Sequence, residues 1–357
     1  MIDNIRKVTF PWLFIVCFIH VDSSHSQVND HKWLLKNRVQ SGIDYDSNVE
    51  ESRTDRHSDG LVKFIWDSQA KHYNKTYLAN LQYHGGFQYY LHTPSEHKMT
   101  HDLSGALAYQ LSKRIRFGTR LWGRLKYFNR HDWHYFLNTS ELFLLFHILP
   151  FQSTIGYENE ALTYLNYNIY NFNAHNFYFL FTKRFAGYFS THLKMGYRAF
   201  DYQREAVSPE STAEYLVSMN KEQQDDNPYV SIQLSYQKGV LGTLEYQWQR
   251  NLSNSYGFSF LQHKLTLSLI SSLSKGFLIR IYGSIQRKNY DEVLSRAFLT
   301  ELDTEREISN FLILDCSKEI ATSLSLLIRL SFYDNESPIP GRYYQKTLAS
   351  VSLEYRF

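Results

Sequence analysis

Ile115, Phe117, Thr119, Leu121, Gly123, Leu125 and Tyr127 alternate with Arg116, Gly118, Arg120, Trp122, Arg124 and Lys126, and nothing else in the sequence restricts its fold so tightly. Side chains on a strand point alternately to opposite faces, so this run has one apolar and one polar face. The same period of two runs through 230–237, 277–286 and 323–332. Soluble sandwiches share the period, but their strands are usually about 5–6 residues long. These segments run to roughly 10–15, the reach of a tilted strand crossing a bilayer.

The joins between segments are sorted by length. Short ones at 112–114, 149–150, 186–187, 238–239, 275–276 and 319 are interleaved with long polar ones at 46–59, 92–100, 203–227, 251–257, 289–304 and 334–342. Short turns on one side and long loops on the other are the layout of an antiparallel up-and-down β-barrel in an outer membrane. The segments, from 33–45 to 343–357, predict an all-β chain of about sixteen strands with both ends on the short-turn side. The weakest stretch is 158–184, read as the end of a strand at 150–158 and an irregular one over 163–184; about fourteen strands is the alternative count. The alternation also explains a composition that is 17% aromatic with a mean hydropathy of −0.42.

Residues 1–26 have a short head with Arg6 and Lys7, an apolar run from Val8 to Val21, and a small polar end at Ser24-His25-Ser26. This is the layout of a secretory signal peptide, and the run of about 14 residues is too short to span a bilayer as a helix. The expected organisation is therefore signal peptide at 1–26, a short periplasmic segment at 27–32 and the barrel at 33–357. Cleavage leaves Cys316 as the one cysteine, which rules out an intramolecular disulfide. A net charge of +3 excludes a strongly basic nucleic-acid binder.

The last strand ends Ser350-Val351-Ser352-Leu353-Glu354-Tyr355-Arg356-Phe357. It resembles the carboxy-terminal signal read by the barrel-assembly machinery of Gram-negative bacteria, with Ser350, Ser352, Tyr355 and Phe357 at the recognised positions and Ser352 where Gly is preferred. Near the other end, Gly42-Ile43-Asp44-Tyr45-Asp46-Ser47-Asn48-Val49 resembles the opening of barrels from exopolysaccharide loci and of the barrel half of surface lipoprotein assembly modulators. The resemblance implies an integral outer-membrane location, with membrane lipid, periplasmic chaperones and the assembly machinery as partners. From the residues alone, Asp46 and Asn48 begin the first long loop.

If the apolar faces meet lipid, the opposite faces line the lumen. Those carry Arg116, Arg120, Arg124 and Lys126, and elsewhere Lys194, Arg198, Lys264, Arg280, Arg329, Lys346 and Arg356, against Glu245, Asp315 and Glu354. Two readings follow. A basic pore surface favours anionic solutes or polysaccharide; a lumen filled by Arg–carboxylate pairs and inward loops stiffens the barrel without conducting. His131-Asp132-Trp133-His134 is the densest His/Asp cluster and reads as interfacial side chains at a loop tip. His84 reads as a structural histidine at a glycine bend, and Cys316 as a filler of the apolar face. Neither a nucleophile–base constellation nor a cofactor fingerprint is legible. The expectation is a porin-like or export-associated channel without cofactor or metal. A loop-closed barrel working with a partner, for example in surface lipoprotein export, is the first alternative, and a hydrolase at the extracellular rim the second.

Overall fold

Long alternating segments whose two faces differ in polarity bury neither face alone; closing the sheet on itself gives one face to lipid and the other to the lumen. In a computed structural model the chain does this with sixteen strands, each hydrogen-bonded to its sequence neighbours, and β1 pairs with β16 to close the barrel. The structure describes residues 33–52, 55–74, 76–129, 134–148, 151–185, 187–209, 216–292, 310–335 and 344–357. The first eight strands are β1 (Trp33–Asp46), β2 (Asp59–Tyr73), β3 (Tyr77–Tyr90), β4 (Lys98–Gln110), β5 (Ile115–Phe128), β6 (Tyr135–Ile148), β7 (Phe151–Tyr164) and β8 (Phe172–Arg184). The rest are β9 (Phe189–Pro209), β10 (Leu216–Lys238), β11 (Val240–Ser253), β12 (Phe260–Ser272), β13 (Phe277–Tyr290), β14 (Asn310–Ala321), β15 (Leu324–Asn335) and β16 (Tyr344–Arg356). The expected signal peptide and periplasmic segment lie outside the described residues.

Two expected boundaries move. The seventh strand runs on to Tyr164 and the eighth starts at Phe172, with a 3-10 turn at Asn168–Tyr170 between them. Glu158, at the expected strand end, and Glu160, in the expected gap, are lumen-facing positions of β7 in register with Asn176 and Ala174. The long loop expected at 203–227 is mostly strand: β9 and β10 stay paired, with register shifts, up to Leu216↔Pro209, and stand taller than their neighbours.

The face pointing away from the lumen carries a band of exposed apolar side chains, among them Leu121, Leu142, Ile155, Phe177, Ile232, Leu244, Leu265, Ile285, Ile328 and Val351. So much exposed apolar surface on one closed face is what a bilayer covers. Three Tyr–His pairs recur at matching places on that face, Tyr83–His101, Tyr157–His175 and Tyr246–His263, with hydroxyl–Nδ1 distances of 2.8, 2.7 and 2.7 Å. They form part of an interfacial aromatic girdle. Tyr355 and Phe357 also face outward, their rings stacked 5.7 Å apart, while Ser350 and Ser352 face the lumen. Cys316 alternates outward with Leu314 and Leu312.

Inside, Gly118, Phe143, Gly156, Tyr178, Gly196 and Tyr229 follow one another in register from β5 to β10. Each ring lies across the glycine of one neighbouring strand, in space a Cβ would occupy. The rings are thereby laid flat and almost fully buried against the wall.

The extracellular hairpins are tied together by a repeated device. The residue just before a strand accepts, through its side chain, the N–H of the last residue of the preceding strand: His97 from Tyr90 (3.2 Å), His134 from Phe128 (3.1 Å), Asn171 from Tyr164 (2.7 Å) and Ser259 from Ser253 (3.0 Å). The carbonyl of the same residue then accepts an N–H from the next hairpin, from Asn129, Leu165 and Asp291 just past their strands and from Gln203 within the tall β9. This is the role of His134, whose ring also stacks on Tyr127 at 4.1 Å; His131, Asp132 and Trp133 lie outside the described residues.

Candidate functional site: the lumen wall

Register places Arg116, Arg120, Arg124 and Lys126 together on the lumen face of β5, opposite Gln110, Ala106, Asp102 and Thr100 of β4. Lys194 and Arg198 take the same face of β9, opposite Leu180 and Asn176. Arg280 and Arg329 flank Asp315 across β13, β14 and β15. Lys264, Lys346 and Arg356 also face inward.

The inward acids are more numerous than the three read from the sequence. Asp44, Asp59, Asp67, Asp102, Glu141, Glu158 and Asp225 share the lumen face with Glu245, Asp315 and Glu354. Several sit at strand ends, where they resemble loop residues; the usable signal was their parity with known lumen positions on the same strand. Most form ion pairs. Arg120 binds Glu141 (2.8 Å), and Arg124 clamps Asp102 through Nε and Nη2 (2.8 and 3.0 Å). Arg329 clamps Asp315 the same way (2.6 and 2.8 Å). Arg38 reaches both Asp67 (2.8 Å) and Glu354 (3.1 Å), and Glu354 also holds Arg356 (2.6 Å). Lys63 is buried against Asp44 at 2.8 Å. His84, in a continuous strand rather than at a bend, places Nδ1 2.5 Å from Asp67.

Cations remain in excess. Arg116 meets the Gln110 amide oxygen (3.0 and 3.2 Å) and no acid among the described residues. Lys194 lies over the Tyr178 ring at 4.5 Å and the Tyr229 ring at 5.7 Å. Arg120 covers the Phe143 ring at 4.4 Å, so the flat rings form a floor for positive charge. From β10 to β13 the wall changes character: Ser231, Gln233, Gln247, Gln249, Gln262, Thr266, Ser284 and Gln286 make an arc of hydroxyls and amides.

The mouth is narrowed by two inward segments. Tyr170 of the 165–171 connection packs among Tyr135, Leu162, Tyr164, Phe172 and Ala174. In the first loop, Val49 packs on Leu61 and Tyr90. Asp46 and Asn48 do more than begin that loop: both are 0% exposed. The Asp46 carboxylate accepts from the Asn48 N–H (3.0 Å) and the Tyr90 hydroxyl (3.2 Å), and lies 3.0 Å from Lys346 Nζ. The Asn48 side chain donates to the carbonyls of Ser52 (2.7 Å) and Gln345 (3.0 Å). Glu51, held at φ +54, completes the cluster 3.2 Å from Lys346.

Burial pushes the Glu51 carboxyl up, but the charges of Lys346 and Lys98 and the hydrogen bonds from Tyr344 and Lys346 outweigh it, leaving it below its ordinary 4.5. A carboxylate lowered on folding contributes stability above its unfolded value, and that contribution is lost as pH falls through the folded one. Hydrogen-exchange protection of 47–52 should therefore fall steeply on acidification below 4.5 in the native protein. In Glu51→Gln it should be low and independent of pH over the same range. Equal acid sensitivity in both would show that Glu51 does not hold the loop.

A closed sixteen-stranded antiparallel barrel with an apolar outer band and a polar inner wall is an outer-membrane β-barrel, and this chain is an integral outer-membrane protein of that class. Among solved structures, OprB of Pseudomonas putida at high pH is similar in fold, with a TM-score of 0.51 and 7% identity over 92% of this chain and 94% of that one. OmpT of Vibrio cholerae (TM-score 0.47, 8% identity, 93% and 99% of the two chains) and OccAB3 of Acinetobacter baumannii (0.46, 8%, 90% and 98%) also match. No protein-family model and no curated protein sequence matches the chain.

Proposed function

We propose that the barrel is a porin-like channel whose lumen favours anionic solutes. The observation that supports this is the surplus of cations on a wall otherwise neutralised by ion pairs: Arg116 and Lys194 meet no acid among the described residues, and Arg280 and Arg329 share Asp315. A focused positive field raises local anion concentration in a narrow aqueous path. Acidic polysaccharide is the larger solute with the same charge, and the hydroxyl and amide arc of β10 to β13 suits its hydroxyl groups. The reading assigns no catalytic step.

Reversal potential in a potassium chloride gradient tests it. Anion preference is expected, and should fall several-fold in the triple variant Arg116→Gln, Arg120→Gln, Arg124→Gln, which removes three lumen charges without touching the lipid face. Cation selectivity of the native protein would overturn the proposal. The inward packing of 47–52 and 165–171 favours a second reading, a barrel closed by its loops that works through a partner. Absence of conductance at every salt and voltage would select that one.

A further inference from the structure

Arg280, Asp315, Arg329, Ser350 and Asp44 follow one another in register across β13, β14, β15, β16 and β1. Lys63 reaches into this row from β2, with Nζ 2.5 Å from Ser350 Oγ and 2.9 Å from Asp44 Oδ2. Lys63 and Asp44 neutralise each other in a buried pair. The remaining charges are two guanidiniums and one carboxylate. Arg329 takes both Asp315 oxygens through Nε and Nη2. Arg280 is left with Nε 3.6 Å from Asp315 Oδ2, beyond hydrogen-bond length, and that buried Nε finds no acceptor among the described residues. Asp315 is 6% exposed, whereas Arg280 and Arg329 are 33% and 41% exposed. The acid is thus sealed behind the two cations, and the surplus positive charge faces the lumen.

We infer that Arg280 and Arg329 form a lumen subsite for a tetrahedral oxyanion, of the class of inorganic phosphate and phosphate esters. Two strands apart, their backbones stand about 9–10 Å from each other with Asp315 on the strand between, and Arg329 keeps its Nη1 outside the Asp315 clamp. A planar carboxylate is satisfied by one guanidinium fork, as Asp315 is by Arg329. A tetrahedral dianion offers oxygens to the N–H groups that Asp315 leaves on both guanidiniums and matches the charge surplus better. The other clusters on the wall lack this combination: Arg120–Glu141 and Arg124–Asp102 are balanced, and Lys346 faces two acids.

The inference rests on a water-accessible lumen, so its test separates the site from the channel. Inorganic phosphate is titrated against refolded full-length barrel in two ways: block of chloride current in planar bilayers, and equilibrium dialysis in detergent. Saturable block is expected, with the half-blocking concentration raised about tenfold or more by Arg280→Gln with Arg329→Gln. Arg280→Lys with Arg329→Lys keeps the charge but loses the forks, and should fall between, which a purely electrostatic effect would not give. Arg116→Gln, on another wall, should lower anion preference yet leave half-block within about twofold. Phosphate bound in dialysis with the same variant dependence, in a barrel that passes no current, would keep the site and remove the channel. Phosphate affinity indifferent to the double glutamine variant, in protein that still migrates as a folded barrel on an unheated gel, would overturn the site.

Discussion

Valine in place of Gly42 should leave the barrel unable to close. Gly42 on β1 faces Ser352 on β16 in the one pair that joins the two ends of the sheet. A Cβ there would collide with Ser352 Oγ and, more seriously, with the Val351 carbonyl oxygen. A side chain can rotate away, but a carbonyl in a ladder cannot move without unpairing the seam. Overpacking of a well-fitted site costs about 1–3 kcal/mol, and a branched side chain against backbone falls at or above the upper end. The unheated-gel form of Gly42→Val should be largely absent after refolding. Ser352→Gly on top of it should recover part of the folded fraction, because only one of the two collisions is relieved. Gly105→Ala is the contrast, since a Cβ there meets only Leu81 Cδ1 at 4.0 Å, and it should fold normally. Normal folding of Gly42→Val would show that the seam tolerates a wider spacing.

The second large effect is expected from Lys346→Met. That change keeps the stem of the side chain but leaves Asp46 and Glu51 without their shared cation. Asp46 has no exposure, so its charge stays buried with the Asn48 N–H and the Tyr90 hydroxyl as its remaining donors among the described residues. Removing one partner of a buried pair costs roughly 3–5 kcal/mol. The expected consequence is release of the first loop rather than collapse of the whole sheet, because β1 to β3 remain paired below it. Hydrogen exchange should show 47–52 unprotected while the strands keep their protection. Asp46→Asn combined with Lys346→Met should recover most of the loss, and the double-mutant cycle then gives the coupling. Additive single effects would show that the two groups are not energetically linked.

Much of the barrel was legible because lipid imposes one rule on every strand it touches. Where β5, β13 and β15 cross the bilayer, outward positions are apolar without exception or nearly so, and alternation alone fixes their extent and facing. The rule lapses above the membrane. Residues 203–209 and 216–226 carry no apolar–polar alternation, since side chains they bury, such as Gln223 and Asp225, are polar too, and so they read as loop although they continue β9 and β10. The inward basic residues were legible from the same parity. Their partners were harder to read: Glu158 and Asp44 differ from loop acids only in sharing parity with lumen positions, and an ion pair such as Arg120–Glu141 depends on a register between strands that periodicity within one strand does not specify. The burial of Asp46 and Asn48 had no sequence signal beyond the motif that contains them.

The linked hairpins give the barrel the mechanical property of a hoop. From Thr347 and Ser47, through His97, His134 and Asn171, across the tall β9–β10 pair and on to Asp291, each hairpin is bonded to the next at the outer rim of the sheet. A load that splays one hairpin outward is therefore borne by its neighbours as tension around the rim. Among the described residues the hoop is continuous from β16 around to β13, so the wall's shape at the outer mouth is held by circumference as well as by each strand's own ladder. A cut in a single loop should leave such a rim round.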